Sequence, residues 1–330
     1  MSRFPFPIPH GWFGLDFSKD LAPGQVKEVM LAGNKLVLFR TESGEARALD
    51  AFCPHLGAPL YQGAVVGENI RCPFHHWQFD GEGECKDIPY AKKIPARAVA
   101  DKYEIREQNG MIHAWYHPEG REPYFEPPMV EGLNGDVKWG ELETMEITLP
   151  TCIQEIAEND VDQPHFTYLH RMPSFSEASC DIDGPIKKTA SQMEMPDDFL
   201  TEDVADAGGD KHTLTRTSFG PGITTVVGTG FNSMVDGSSG EFILYHVATP
   251  IDEETTMLRW TMGVTTNIAS DMDLGPSIIY GFKTGVDDDI PIWRDKIYQE
   301  NPALCDGDGP INKHRKWTKQ FYDMSVPVEA

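Results

Sequence analysis

No stretch of this 330-residue chain approaches eighteen uninterrupted apolar residues, and its opening, MSRFPFPIPHGWFGLDF, lacks a charged segment followed by an apolar run. Neither membrane spanning nor secretion is expected, and a cytoplasmic location is. Positive charge is also scarce: 28 Lys and Arg face 52 Asp and Glu, a formal net charge of -24. So acidic a chain repels phosphate backbones, which argues against a nucleic-acid partner and is otherwise read as solubility. Cysteine is sparse. The six (Cys53, Cys72, Cys85, Cys152, Cys180, Cys305) are scattered without framework spacing, which excludes a disulfide scaffold and suits a reducing compartment. No internal repeat or low-complexity tract interrupts the C-terminal two-thirds.

What is present is ample core material, 40% hydrophobic residues and seven Trp, over a length that suggests about two domains. Two short stretches stand out, 53-CPHLGAPL-60 and 72-CPFHHW-77. Each offers one thiolate and one imidazole, a set that zinc or a two-iron cluster could accept. The spacing is more selective. A C-x-H pair (Cys53, His55), then sixteen residues, then a C-x-x-H pair (Cys72, His75) is the pattern of a Rieske [2Fe–2S] centre, with the cysteines on one iron and the histidines on the other. A C2H2 zinc finger groups its cysteines together and its histidines together, unlike this chain. His76 is the rival of His75, and the two-residue gap after Cys72 favours His75. Around these loops, KLVLFR, EARALDAF, IRCPF, HWQFDGEGEC and GMIHAWY read as short strands between Gly turns, and 117-HPEGREPYFEPP-128 reads as a linker.

Respiratory Rieske proteins, which the motif resembles, carry an extra cysteine in each loop, and those two form a brace. Ala58 and Phe74 stand at the corresponding positions here. The resemblance is therefore to the oxygenase and ferredoxin type, whose cluster delivers electrons to a nearby acceptor. The remaining two hundred residues open with 158-ENDVDQPHFTYLH-170, expected on a helix beginning near Pro150. His165 and His170 are five apart, so on an ideal helix they diverge and need local distortion to meet at one metal. Two histidines on a helix usually serve packing. Beside a one-electron donor, however, two His and an acidic residue form the facial triad of non-haem Fe(II) oxygenases, which leaves positions open for O2.

CxH-x16-CxxH followed by N-x-x-D-x-x-H-x4-H resembles the large subunit of Rieske non-haem iron oxygenases. The tail, 289-DIPIW-293 and 305-CDGDGPINKHRKWTKQFY-322, is similar to the 3-ketosteroid 9α-hydroxylase oxygenase component and the cholesterol 7-desaturases. The resemblance implies an α+β protein: an all-β Rieske domain (1–125) and a helix-grip, START-like catalytic domain (126–330), whose antiparallel sheet wraps helices around an apolar cavity. Strands are expected at 212-HTLTRTSF-219, 222-GITTVVGTGF-231, 241-EFILYHVATP-250 and 256-TMLRWTMGVTT-266.

For the site, the resemblance implies mononuclear Fe(II) on His165, His170 and Asp289, the last four residues before Trp293. Asp287 and Asp288 compete with Asp289, and an acidic run entering a helix commonly only caps it. Asp162 matches a carboxylate that bridges the two metal centres, accepting from His165 and from His75 of a neighbouring subunit. Asn159 matches a position near the iron. The family further implies a homotrimer fed by a ferredoxin or a flavin/iron–sulfur reductase, and a steroid-like apolar substrate hydroxylated with O2. A reductase could approach Arg71, Lys86, Lys92, Lys93 and Arg97, where positive charge concentrates. Demethylation, desaturation or dihydroxylation of another apolar or aromatic compound uses the same iron chemistry, and a non-catalytic electron-transfer protein with a ligand-binding domain is the alternative outside enzymes.

Overall fold

The computed structural model describes residues 3–134, 138–172, 174–194, 212–232, 237–269 and 274–322. The chain divides into two compact units, His10–Met129 and Val130–Ala330 together with Met1–Pro9. The boundary expected at 125 thus falls at Met129, and the first nine residues group with the second unit.

In the first unit, three antiparallel sheets are built from short strands. Gly11–Phe17, Met111–Tyr116 and Ile105–Gln108 form one; Val26–Leu31, Asn34–Arg40 and Ala46–Asp50 form another. Ala64–Val66, Asn69–Arg71, Gln78–Phe79 and Cys85–Asp87 complete the third, from which the second Cys/His loop projects. Val37, Phe39, Leu49, Leu60, Ile70 and Phe79 pack with Cys53 and Cys72 in one buried cluster. Both thiols therefore sit at the root of their loops, on the core. The segment 117–128 is tied down, contrary to the linker reading: Trp12 donates to the Phe125 carbonyl at 2.6 Å and Trp115 to the Arg121 carbonyl at 2.7 Å. Indole N–H groups buried in an aromatic cluster need acceptors, and the Pro-rich strap supplies them.

The second unit is an eight-stranded antiparallel sheet. Its order is Glu143–Leu149, Thr256–Val264, Ser239–Pro250, Ile223–Asn232, Thr213–Phe219, Ile186–Glu194 and Ser174–Phe175, with Ser179–Asp183 also paired to Ile186–Glu194. Thr213–Phe219 shows the cause in miniature. Leu214, Arg216 and Ser218 alternate inward while threonines alternate outward, the period-two pattern of a sheet covered on one face. The helix expected from near Pro150 is two short ones, Ile153–Asn159 and Pro164–Tyr168. They are separated where Asp160 turns inward to accept from Ser218 and Thr224. A 22-residue helix, Leu274–Asp295, carries Pro291 in its interior. No helix among the described residues is long and apolar enough to cross a membrane.

Candidate metal centres and a cavity

The two Cys/His loops share one backbone design. In each, the residue four after the cysteine donates its N–H to the cysteine carbonyl, Gly57 to Cys53 at 2.9 Å and His76 to Cys72 at 3.1 Å. Both of these residues are left-handed, Gly57 at φ 74° and His76 at φ 61°. The first loop uses glycine there, where no Cβ is crowded; the second places a histidine in that conformation. His76 is exposed, whereas His75 and His55 are partly buried, with ring centroids 4.7 Å apart. His55 stacks on Trp77 at 4.3 Å and 10°, and Trp77 is held by a 2.8 Å bond from its N–H to the Tyr90 hydroxyl. Burial, together with the neighbouring Cys72, pushes the Cys53 thiol up to about 12. A thiol this buried holds its proton unless a metal displaces it, which is the chemistry an iron–sulfur cluster brings. Of the five basic residues singled out nearby, Lys86 is already taken by Asp80 and Glu84 at 2.8 and 2.6 Å.

In the second unit, His165, His170 and Asp289 converge, their ligand atoms all within 4.8 Å of one another. The five-residue spacing is resolved by a wide turn. The N–H groups of both Leu169 and His170 bond to the His165 carbonyl, at 2.9 and 3.2 Å, and Arg171 leaves the turn at φ 57°. This winding carries His170 past the helix end and back beside His165, at a ring separation of 5.2 Å.

Asp289 reaches the same point from the interior of the long helix, not from its start. The acidic run therefore does not cap that helix. Asp287 and Asp288 are exposed, while Asp289 is 9% exposed, with Oδ2 3.4 Å from His170 Nε2 and Oδ1 accepting from Asn159 Nδ2 at 3.3 Å. Asp288 lies on the other side of the same ring, Oδ2 3.7 Å from His170 Nδ1. Hydrogen bonding to Asp289 raises the pKa of His170; burial lowers that of His165. The His165 Nδ1 meets the backbone carbonyl of Asp162, while the Asp162 carboxylate accepts the His165 backbone N–H at 3.3 Å and lies 3.9 Å from the ring nitrogen. The ring is thus oriented by a peptide oxygen rather than by the expected carboxylate. Two imidazoles and one carboxylate that converge on the lining of a cavity are the donor set of a facial triad for iron.

That cavity has a volume of about 530 Å³. Leu214, Val226, Phe242, Leu244, Leu258 and Trp293 give it an apolar wall. Three polar residues that sequence reasoning missed, Asp160, Arg216 and His246, line it, and a fourth, Lys187, neighbours Asp160. Asp160, buried, accepts from Thr224 at 3.0 Å and Ser218 at 3.2 Å, with His246 Nε2 3.6 Å and Lys187 Nζ 3.9 Å away. Burial alone would raise its carboxyl, but His246, Lys187 and Arg216 hold it well below the usual range. Lys187, fully buried, donates to His314 Nδ1 at 3.0 Å. Burial and then the Lys187 charge keep His314 far below its ordinary pKa, so it accepts as a neutral ring. Inward parity on alternating strands was the only available signal for Lys187, Arg216 and His246, and it required knowing the register.

A buried Cys₂His₂ double loop in one unit, with a His₂-carboxylate site beside an apolar cavity in the other, defines a Rieske-type non-haem iron oxygenase. Residues 11–100 match the Rieske [2Fe-2S] domain and residues 114–322 match the 3-ketosteroid 9alpha-hydroxylase C-terminal domain. The chain is 31% identical to the 3-ketosteroid-9-alpha-monooxygenase oxygenase component of Rhodococcus rhodochrous, over 96% of this chain and 81% of that one. It is also 31% identical to a cholesterol 7-desaturase of Ciona intestinalis, over 98% of this chain and 70% of that one. Dicamba monooxygenase bound to dicamba shares the fold, at a TM-score of 0.75 and 16% identity, covering 94% of this chain and 96% of that one. The chain belongs to the 3-ketosteroid 9α-hydroxylase family of Rieske oxygenases and is a terminal oxygenase component carrying a [2Fe–2S] cluster and a mononuclear iron.

Proposed function

We propose that this oxygenase hydroxylates an apolar, polycyclic, steroid-like substrate. The observation that carries this reading is the cavity: about 530 Å³, inside the roughly 300–1,000 Å³ of small-molecule sites, lined mainly by apolar side chains, with His165, His170 and Asp289 among its lining residues. Cys53, His55, Cys72 and His75 hold the cluster, and His165, His170 and Asp289 hold the iron. When bound, the cluster supplies electrons singly and the iron supplies the activation of O2. The chain's own residues do the rest. Asn159 fixes the Asp289 carboxylate by donating to Oδ1, the Asp162 carbonyl fixes the tautomer of His165, and the apolar wall excludes water and selects the carbon that faces the metal.

The protein acts as a cytoplasmic homotrimer fed by a ferredoxin or a flavin/iron–sulfur reductase, in which Asp162 would link the residues that would hold the cluster in one subunit to those that would hold the iron in the next. The partial exposure of His75 and Asp162 supports this route, because both remain accessible to a neighbour. A desaturase reading has one specific observation behind it, the similarity to the Ciona intestinalis cholesterol 7-desaturase. Mass analysis of products from a steroid and aromatic panel, with a surrogate reductase, separates the two: gain of one oxygen marks hydroxylation, loss of two hydrogens marks desaturation, and turnover of aromatics alone would overturn the steroid-like reading. The inter-subunit route is tested by mixing Cys72→Ala and His165→Ala chains, each inactive alone. Partial activity is expected in verified mixed trimers, and its absence would refute the route.

A further inference from the structure

Arg216 is an ion without a full complement of partners. It projects from strand Thr213–Phe219 onto the cavity wall and is 3% exposed. Its neighbours are the Phe166 ring, with its centroid 4.5 Å from the guanidinium carbon, Val226 opposite it on one adjoining strand and the buried Thr189 opposite it on the other. Among the described residues its hydrogen bonding is a single long contact, Nη1 to Ser191 Oγ at 3.5 Å. Asp160 acts on it electrostatically, but that carboxylate is already shared among Ser218, Thr224, His246 and Lys187. Burial lowers the Arg216 pKa to about 10, opposed by Asp160, so the side chain is charged at neutral pH. Trp260, on another strand of the same wall, is 8% exposed, and its buried indole N–H has no acceptor among the described residues.

A buried guanidinium left short of acceptors is costly, and a purely hydrocarbon ligand would leave it so. We infer that Arg216 anchors the substrate by donating to an oxygen acceptor, a ketone or a carboxylate, carried on an otherwise apolar skeleton, and so fixes which carbon faces the iron site. This rests on the oxygenase reading above and adds a polar requirement to it. The planar fork suits either oxygen group, and the surplus of two buried cations, Lys187 and Arg216, over the single carboxylate of Asp160 favours the carboxylate.

The test is calorimetric binding to the anaerobic holoenzyme of three probes on one skeleton: androstane, its mono-ketone and its mono-carboxylate. A parallel set on one aromatic ring uses ethylbenzene, acetophenone and benzoate. The wild type is expected to prefer the oxygen-bearing probes by about 10- to 100-fold, the scale of a charge-assisted hydrogen bond. Arg216→Met should erase that preference and leave the hydrocarbon affinity intact, with cluster, iron content and melting temperature as controls. Arg216→Lys, which keeps the charge, should retain part of the carboxylate preference. It also decides the matter, together with the wild-type preference, if the Met variant fails to fold. Absence of any preference in both probe sets, its survival in Arg216→Met, or an equal loss for all probes would overturn the proposal. A preference seen with the aromatic set alone would remove the steroid-like reading and leave Arg216 standing.

Discussion

Asp288 and Asp289 are adjacent, both carboxylates, and both near His170, yet they should behave differently when removed. Asp289 is 12% exposed at its side chain, 3.4 Å from His170 Nε2 and held by Asn159; Asp288 is 57% exposed and 3.7 Å from His170 Nδ1. Asp289 therefore faces the nitrogen directed at the metal position, and Asp288 faces the opposite nitrogen, where an outer acceptor orients a ligand. Loss of an outer partner typically costs 10–100-fold in metal affinity, and loss of one ligand of three costs more. Asp289→Ala should accordingly fall from about three irons per chain to about two while keeping the cluster's visible spectrum. Asp288→Ala should keep its third iron when purified and lose it on dialysis against chelator at a concentration about tenfold below that needed for wild type. Exposed Asp287→Ala should match wild type. Iron quantification referenced to cluster absorbance reads all three. Retention of the third iron by Asp289→Ala, or its outright loss in Asp288→Ala, would refute the assignment and shift the ligand by one residue.

Three further outcomes are expected. His76→Gly should keep the cluster and relieve the left-handed residue, slowing cluster loss on heating, whereas His75→Ala should lose the visible spectrum; the reverse pattern would make His76 the ligand. Asp160→Ala leaves Lys187 and Arg216 buried without their carboxylate and should cost about 3–5 kcal/mol in urea denaturation; a cost below about 1 kcal/mol would show that the network is not charged as described. His113, fully buried, has its pKa lowered by burial to about 4, so the fold holds the neutral ring. Its contribution is complete above the unfolded value near 6.5 and is lost as pH falls toward 4. Between pH 7 and 5 that loss is about 2 kcal/mol, and His113→Leu should remove that share of the slope, leaving the part carried by His10, His314 and the other buried histidines.

Much of this protein was legible along the chain because much of its chemistry is local. The two Cys/His loops place their candidate ligands within four residues each, and the strands Thr213–Phe219, Ile223–Asn232, Ser239–Pro250 and Thr256–Val264 fall where the expected segments lay. Strand Gly11–Phe17 was not anticipated, since all seven of its residues are buried and no alternation marks it. The helix near Pro150 failed as a single element because Pro164 has no backbone N–H to bond the carbonyl four residues back and instead opens the second helix.

The sequence by itself determined which residue types were available at each metal centre and the family to which their spacing belongs. Only the tertiary structure decided which of three neighbouring aspartates turns inward, that a wide turn at His165 brings His170 back, and that a peptide carbonyl rather than the Asp162 carboxylate meets the His165 ring. It alone brought Asp160, Arg216 and His246 to one cavity, with Lys187 beside Asp160. The reason is physical: ligand identity is set by short-range spacing, whereas burial and charge pairing depend on sheet register between segments far apart in sequence, where a slip of one residue would turn Arg216 to the opposite face.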